Sequence, residues 1–453
     1  MKFSSLNLSK EMLHNLDEIG YKKMTAVQAE SLPYILDGKD VIAEAKTGSG
    51  KTAAFGIGLL SRLDVKKFRV QSLVLCPTRE LADQVAKELR LLARQTHNVK
   101  ILTLCGGSAF GPQLGSLRHG AHIIVGTPGR VLKHLKKETL SLEHLEVLVL
   151  DEADRMLDMG FKEEIDETLS FCKKRKQTLL FSATYTDEIM QVSKNLQHKA
   201  ISVKTISSEK ANNIQERFYQ CPAQEKLEVL IDIFSNFKPE NVIVFTNTKI
   251  QAKEIAESLQ KKKIDALAIH GELEQYERND VLVQFANKSC PILVATDVAA
   301  RGLDIKELSM VVNYDLPHAR ETYTHRIGRT GRAGKDGLAF TLFSSHEIDN
   351  VDEYRDEARA FEDARALKKA VGFEMKPQYI TLVIEGGKKD KVRAGDILGA
   401  LTGDAGLKGS SIGKIDIYDR QSYVAIESKL IDEAHKKLNR GKIKNKNFSV
   451  WIL

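Results

Sequence analysis

The 453-residue chain predicts an α/β protein: two tandem doubly wound parallel-sheet domains followed by a small α+β domain. Three observations carry that expectation. Two successive sets of short, almost wholly apolar runs are separated by longer helix-forming stretches, and the rhythm changes beyond Phe373. Runs this short and apolar suit strands buried on both faces, with room for a crossover helix between most neighbours.

The first set is Val41–Ala43, Ser72–Cys76, Ile101–Leu104, Ile123–Val125, Val147–Leu150 and Thr178–Phe181. The polar, weakly patterned stretch Lys204–Gln215 predicts a linker. The second set is Val242–Phe245, Ala266–Ile269, Ile292–Ala295, Met310–Asn313 and Leu338–Phe343. From His346 to Lys369 the chain is crowded with charge and helix formers, among them Glu347, Asp349, Asp352, Glu353, Glu357 and Glu362, and predicts a solvated helical connector. Beyond it, strand-like Tyr379–Ile384, helical Asp396–Leu401, strand-like Ile412–Ile417 and Ser422–Glu427, helical Leu430–Leu438 and a last strand near Phe448–Ile452 give the order β-α-β-β-α-β of an RRM-like sandwich. The expected boundaries are 1–205 for the first domain, 206–215 for a linker, 216–350 for the second domain, 351–373 for the connector and 374–453 for the third domain.

At 42% apolar and 28% charged residues, the composition excludes a disordered or fibrous chain. The net charge is +7, and six of those seven charges fall in residues 376–453. An anionic partner is therefore expected chiefly at the C-terminal domain. Five cysteines (Cys76, Cys105, Cys172, Cys221, Cys290) lie far apart without a C-x-x-C pair, which predicts reduced thiols and no zinc site. The first ten residues lack an apolar signal core, and no run nears the ~18 apolar residues of a membrane helix. A cytoplasmic protein with no membrane partner is expected.

After the first strand comes Ala45-Lys46-Thr47-Gly48-Ser49-Gly50-Lys51-Thr52, leading into an apolar helical stretch. A glycine-rich turn aims successive backbone N–H groups at phosphates, Lys51 neutralises the outer phosphates, and the Thr52 hydroxyl can ligate Mg²⁺. Ala45 stands where the pattern asks for glycine. At the end of Val147–Leu150 sits Asp151-Glu152-Ala153-Asp154. Asp151 suits a carboxylate holding Mg²⁺, mainly through water, and Glu152 one that orients and deprotonates an attacking water. These parts serve phosphoryl transfer to water.

With these residues in place, the chain resembles the DEAD-box RNA helicases of superfamily 2, whose name spells the tetrad Asp151–Asp154. The resemblance covers residues 1 to about 345 and implies RecA-like domains, ATP and Mg²⁺ as cofactors, RNA as partner and no DNA. It implies an adenine-recognition segment with Phe3, Tyr21 and Gln28, in which Met24 replaces the family's usual proline. It implies that Arg79, Gly107, Thr127, Gly129 and Arg130 grip the RNA backbone in the first domain. In the second domain Thr246, Asn247, Gly271, Arg278 and Thr296 contact RNA or brace such contacts. Ser182, Thr184, Asp154 and His325 would link hydrolysis to strand separation, Asp304 would bond the ribose, and Arg329 and Arg332 would act as arginine fingers.

The tail, through Glu385–Lys389, Arg393–Gly403 and Gly441–Lys444, resembles the RNA-binding domain of the DbpA branch. That implies recognition of a hairpin in large-subunit ribosomal RNA and work on pre-ribosomal particles. Of the aromatic segment an RRM uses for base stacking, only Tyr423-Val424 remains. Recognition is therefore expected through loops and helix ends bearing Lys388, Lys389, Lys391, Arg393, Lys442, Lys444 and Lys446. An ATP-gated RNA clamp that holds a site without unwinding it shares every one of these motifs.

Overall fold

The computed structural model describes residues 1–45, 48–172, 175–204, 214–300, 308–317, 319–331, 336–355, 359–404 and 406–453. Lys46, Thr47, Asp304, Arg332 and most of the expected linker lie outside these residues. The described residues form two units, one ending at Lys204 and one beginning at Ile214.

The first unit is built on strands β1 (Val41–Glu44), β2 (Ser72–Leu75), β3 (Ile101–Leu104), β4 (Ile123–Gly126), β5 (Val147–Asp151), β6 (Gln177–Ser182) and β7 (Ile201–Lys204). They form one parallel sheet in the order β3-β4-β2-β5-β6-β1-β7. Side chains alternate across a strand, so both faces must be apolar for the sheet to be covered twice. Val41, Ala43, Val74, Val125, Val149, Leu179 and Phe181 enter one core, whereas Ile42, Leu73, Leu75, Ile124, Leu148, Leu150 and Leu180 enter the other.

The second unit repeats this topology with β8 (Ile214–Gln220), β9 (Val242–Thr246), β10 (Ala266–Ile269), β11 (Ile292–Thr296), β12 (Met310–Asn313), β13 (Gly337–Phe343) and β14 (Ala360–Asp363), ordered β10-β11-β9-β12-β13-β8-β14. Two of these strands are not apparent as apolar runs. β8 starts inside the stretch that reads as linker, and β14 lies inside the charged stretch that reads as helical. Several of their charges pair between neighbouring strands. Arg359 Nε donates to Glu216 Oε2 at 2.6 Å, Arg217 pairs with Glu362 at 3.4 Å, and Phe361 stacks on Phe218 with centroids 4.6 Å apart.

The same unit carries the small C-terminal sheet: β15 (Tyr379–Ile384), β16 (Ile412–Ile417), β17 (Ser422–Glu427) and β18 (Val450–Ile452), antiparallel in the order β16-β17-β15-β18. The helices Ala394–Gly399 and Ile431–Arg440 cover one face over a core that includes Leu382, Ile384, Val424, Ile426, Ile397, Ala434 and Leu438.

Candidate ATP and RNA sites

In a doubly wound sheet, ligands gather beyond the carboxyl ends of the strands. The order of the first sheet splits that edge in two. The ends of β5, β6 and β1 are neighbours and carry the Asp151 tetrad, Ser182–Thr184 and the glycine-rich turn. The ends of β2, β4 and β3 are neighbours and carry Arg79, Thr127–Arg130 and Gly106-Gly107.

On the first half, Gly48 and Gly50 take left-handed backbone (φ 85° and 92°), which turns the chain from β1 into the helix Lys51–Arg62. Ala45 donates its N–H to Ser182 O at 2.9 Å and is buried in the core, so the alanine at the first position of the turn packs inward. A Cβ at Gly50 would press on Gln28 Nε2, which donates to Gly50 O at 3.1 Å while Gln28 Oε1 accepts from Thr25 N at 2.9 Å. Gln28 is thus buried against the phosphate-binding turn. Phe3 is buried and meets the half-buried Tyr21 edge-on at 6.3 Å, and the Tyr21 hydroxyl donates to Glu88. Met24 donates its backbone N–H to Met1 O at 3.0 Å, a bond that proline could not make.

Lys51 is 6% exposed and Asp151 2%. Lys51 Nζ, Ser49 Oγ and Asp151 Oδ1 are buried without a hydrogen-bond partner among the described residues. Leaving such groups unpaired is costly. A helix N-terminus, an ammonium and a carboxylate awaiting partners fit phosphates accompanied by a divalent cation. Burial pushes the Asp151 carboxyl up to about 7, against the pull of Lys51.

Glu152 adopts left-handed backbone at φ 53° and its Oε2 accepts from Arg155 Nη1 at 2.9 Å, both side chains being almost fully buried. Arg155, three residues along the helix, is not singled out by the motif reading, although its i+3 spacing from Glu152 is a usable signal. Asp154 Oδ2 accepts from Ala183 N at 2.9 Å, Thr184 N at 3.2 Å and Thr184 Oγ1 at 3.3 Å. The tetrad and the Ser182–Thr184 turn are therefore one bonded unit.

On the second half, a Cβ on Gly107 would overlap the Arg79 guanidinium, so Arg79 and the Gly106-Gly107 turn lie in contact. Thr127 is buried, Gly129 exposed and Arg130 half-buried. Arg130 Nη1 and Nη2 both donate to Ser108 O at 3.0 Å, and Nη1 also reaches Gln113 Oε1 at 2.8 Å.

In the second unit, Arg326 is the hub. Its Nε and Nη2 grip Asp297 at 2.7 and 2.8 Å, Nη2 also reaches Asn247 Oδ1 at 3.1 Å, and Nη1 reaches Asp315 O at 2.7 Å and Asn313 Oδ1 at 3.2 Å. All five guanidinium protons are used. Asn247 spends its other amide end on Leu316 O at 3.0 Å, and Thr246 is fully buried. Arg278 Nη2 donates to Ala299 O at 2.6 Å; Gly271 is exposed and Thr296 and His325 half-buried. Arg329 is 6% exposed.

All seven basic tail residues are exposed, and the structure brings their two loops together: Lys444 Nζ donates to Lys391 O at 3.0 Å. The free sheet face of the tail is not open. Val383 and Tyr423 pack on Val283 of the helix Gln275–Ala286, Tyr423 Oη donates to Asp280 Oδ1 at 2.8 Å, and Thr381 Oγ1 donates to Ser289 Oγ at 2.7 Å. Burial and this bond raise the Tyr423 phenol, and burial raises the Asp280 carboxyl. The one aromatic left of the stacking segment is thus engaged in docking.

Residues 25–192 match the DEAD/DEAH box helicase family, 225–334 the helicase conserved C-terminal domain and 381–452 the DbpA RNA-binding domain. The chain is 49% identical over 455 residues to the ATP-dependent RNA helicase DbpA of Escherichia coli K12, covering 100% of this chain and 99% of that one. It is 44% identical over 347 residues to the DEAD-box ATP-dependent RNA helicase CshA of Geobacillus kaustophilus, covering 76% and 74%. The solved structure of S. cerevisiae Dbp5 bound to RNA and ADP BeF3 superposes with a TM-score of 0.72 at 30% identity, over 80% of this chain and 96% of that one. With the glycine-rich turn, the bonded acidic tetrad and both helicase domains in place, the chain belongs to the DEAD-box ATP-dependent RNA helicases, in the DbpA branch.

Proposed function

We propose that this helicase remodels large-subunit ribosomal RNA in the cytoplasm during ribosome assembly, held at its site by the tail. The observation that carries this reading is the meeting of two exposed lysine loops, Lys388–Arg393 and Lys442–Lys446, on the domain that matches the DbpA RNA-binding model. Exposed lysines and an arginine held on neighbouring turns suit a folded RNA backbone recognised by shape.

In the core, the phosphates of ATP lie against the turn Ala45–Thr52, with Lys51 neutralising the outer ones, while Phe3, Tyr21 and Gln28 receive the base and Asp304 the ribose. Thr52 and Asp151 would hold Mg²⁺, mainly through water, and the ion supplies charge neutralisation at the β- and γ-phosphates when bound. Glu152 orients a water and takes its proton as the water oxygen attacks the γ-phosphorus and the bond to ADP breaks. Arg329 and Arg332 stabilise the charge that develops on the transferred group. Because these arginines belong to the second domain, hydrolysis requires both domains. RNA held by Arg79, Gly107, Thr127, Gly129 and Arg130 on one and by Thr246, Asn247, Gly271, Arg278 and Thr296 on the other favours the same state, so RNA stimulates turnover. Asp154, Ser182, Thr184 and His325 relay that state to the strand being displaced.

The test is ATPase stimulation by a ribosomal RNA fragment, by its hairpin alone and by unrelated RNA. The intact chain is compared with a variant carrying Lys388→Ala, Lys391→Ala, Lys442→Ala and Lys444→Ala. The intact chain should respond to the hairpin-bearing fragment at concentrations at least ~10-fold lower, a preference of about 1.4 kcal/mol, and the variant should lose that preference. Equal responses of the intact chain to all three RNAs would overturn the targeting. Strand displacement from a duplex joined to the hairpin separates unwinding from clamping, because a clamp hydrolyses ATP and releases no strand.

A further inference from the structure

Gln113 lies on the helix Phe110–Arg118, a segment with no buried residue and no part in the motifs above. Its amide is nevertheless saturated. Nε2 donates to Cys105 O at 3.0 Å and to Ser108 Oγ at 2.8 Å, while Oε1 accepts from Arg130 Nη1 at 2.8 Å and from His134 Nε2 at 3.0 Å. Both donors and both lone pairs are used. The orientation is forced, because Cys105 O can only accept, so the amide nitrogen must face it and the oxygen must face Arg130. His134 Nε2 therefore carries its proton, and Nδ1 lies 2.8 Å from Thr139 Oγ1, whose hydroxyl also reaches His134 O at 3.0 Å.

The far side of the imidazole is closed by Phe110, stacked with a centroid distance of 4.1 Å and an interplanar angle of 12°. His134 is fully buried, so the group behind Gln113 does not move with solvent. Cys105 and Ser108 flank the Gly106-Gly107 turn after β3, whereas Arg130 and His134 belong to the helix Pro128–Lys136 after β4. Gln113 bonds to both segments at once through a single amide, reinforcing the two direct bonds from Arg130 Nη1 and Nη2 to Ser108 O at 3.0 Å.

We infer that Gln113 is a positioning residue for RNA binding: it locks the Arg130 guanidinium to the Gly106-Gly107 turn, so that two separate backbone-gripping segments meet RNA as one preformed surface. The inference rests on the reading that Arg130 contacts RNA phosphates. A long arginine held in one rotamer before RNA arrives loses less conformational freedom on binding, and the advantage belongs to affinity for RNA and not to the chemical step.

The experiment measures RNA-stimulated ATPase of the full-length chain against RNA concentration for Gln113→Leu, Arg130→Ala and the double variant. Since the helix carries no core residue, Gln113→Ala serves as a second form of the same test with less bulk. Gln113→Leu should raise the RNA concentration for half-maximal stimulation about 10-fold while kcat at saturating RNA stays within about twofold, and the double variant should be no worse than Arg130→Ala alone. If Arg130→Ala raises the RNA requirement and neither Gln113 variant does, the positioning role falls and the reading of Arg130 stands. If Arg130→Ala has no effect, the reading of Arg130 itself falls. Additive effects in the double variant, or a loss of kcat without a change in RNA requirement, would also overturn the positioning role.

Discussion

Glu152 occupies left-handed backbone that costs a non-glycine residue about 1–2 kcal/mol, and it does so at the end of a fully buried strand. The surrounding bonds, to Arg155 and through Asp154 to Ala183 and Thr184, hold it there. If Glu152 is the base, Glu152→Gln keeps ATP and RNA binding but lowers RNA-stimulated kcat at least ~100-fold, a loss typical of removing a general base. Near-normal kcat would sink the assignment. The same change removes the counterion of the buried Arg155, so a lower melting temperature should accompany it. ATP affinity measured below that melting temperature separates the two effects.

The buried His134 ring couples stability to pH. Burial, with Arg130 and Lys133 nearby, lowers its pKa to about 4. The unfolded chain takes up this proton near ~6.5, so as pH falls the unfolded state is favoured first. Stability contributed by the neutral ring is present above ~6.5 and lost progressively down to about 4, on the order of 2 kcal/mol by pH 5. Urea unfolding at pH 7 and pH 5 should show a larger loss for the native chain than for His134→Gln. Equal losses would contradict the burial of a neutral imidazole.

At the scale of elements, what the sequence revealed followed from how local each signal was. Val147–Leu150 announces itself because these four residues of a strand covered on both faces are all apolar. β14 hides its nature because it is an edge strand whose charges find partners on β8, and those partners lie over a hundred residues away in sequence. The glycine-rich turn and the acidic tetrad are contiguous motifs, hence legible. Gln113 and Arg326 are not: their importance lies in bonds to residues that only folding brings near. Asn247 shows the middle case, since its position was legible but the commitment of both ends of its amide to Arg326 and Leu316 was not.

At the scale of the molecule, the surplus positive charge of the tail is borne by loops while its sheet face is turned to the second helicase domain. Tyr423→Ala should therefore release the tail from that domain, removing a buried hydrogen bond to a carboxylate worth about 1.5–3 kcal/mol along with the ring's packing. Small-angle scattering should give a larger radius of gyration for the variant as the tail comes free of that domain, and an unchanged value would argue against docking in solution.

The helix Gln275–Ala286 gives this docking a mechanical meaning. Its first turn carries Gln275 and Arg278, of which Arg278 is a proposed RNA contact, and its later turns carry Asp280 and Val283, which receive the tail. A helix is a stiff rod rising 1.5 Å per residue, so Arg278 and Val283 are separated by only about 7.5 Å along it. On the proposed reading, a pull on RNA held by the tail would be delivered to the same rod that carries the proposed core contact Arg278, along a load path of packed side chains that bypasses the connecting chain. The anchor and the engine share an axle.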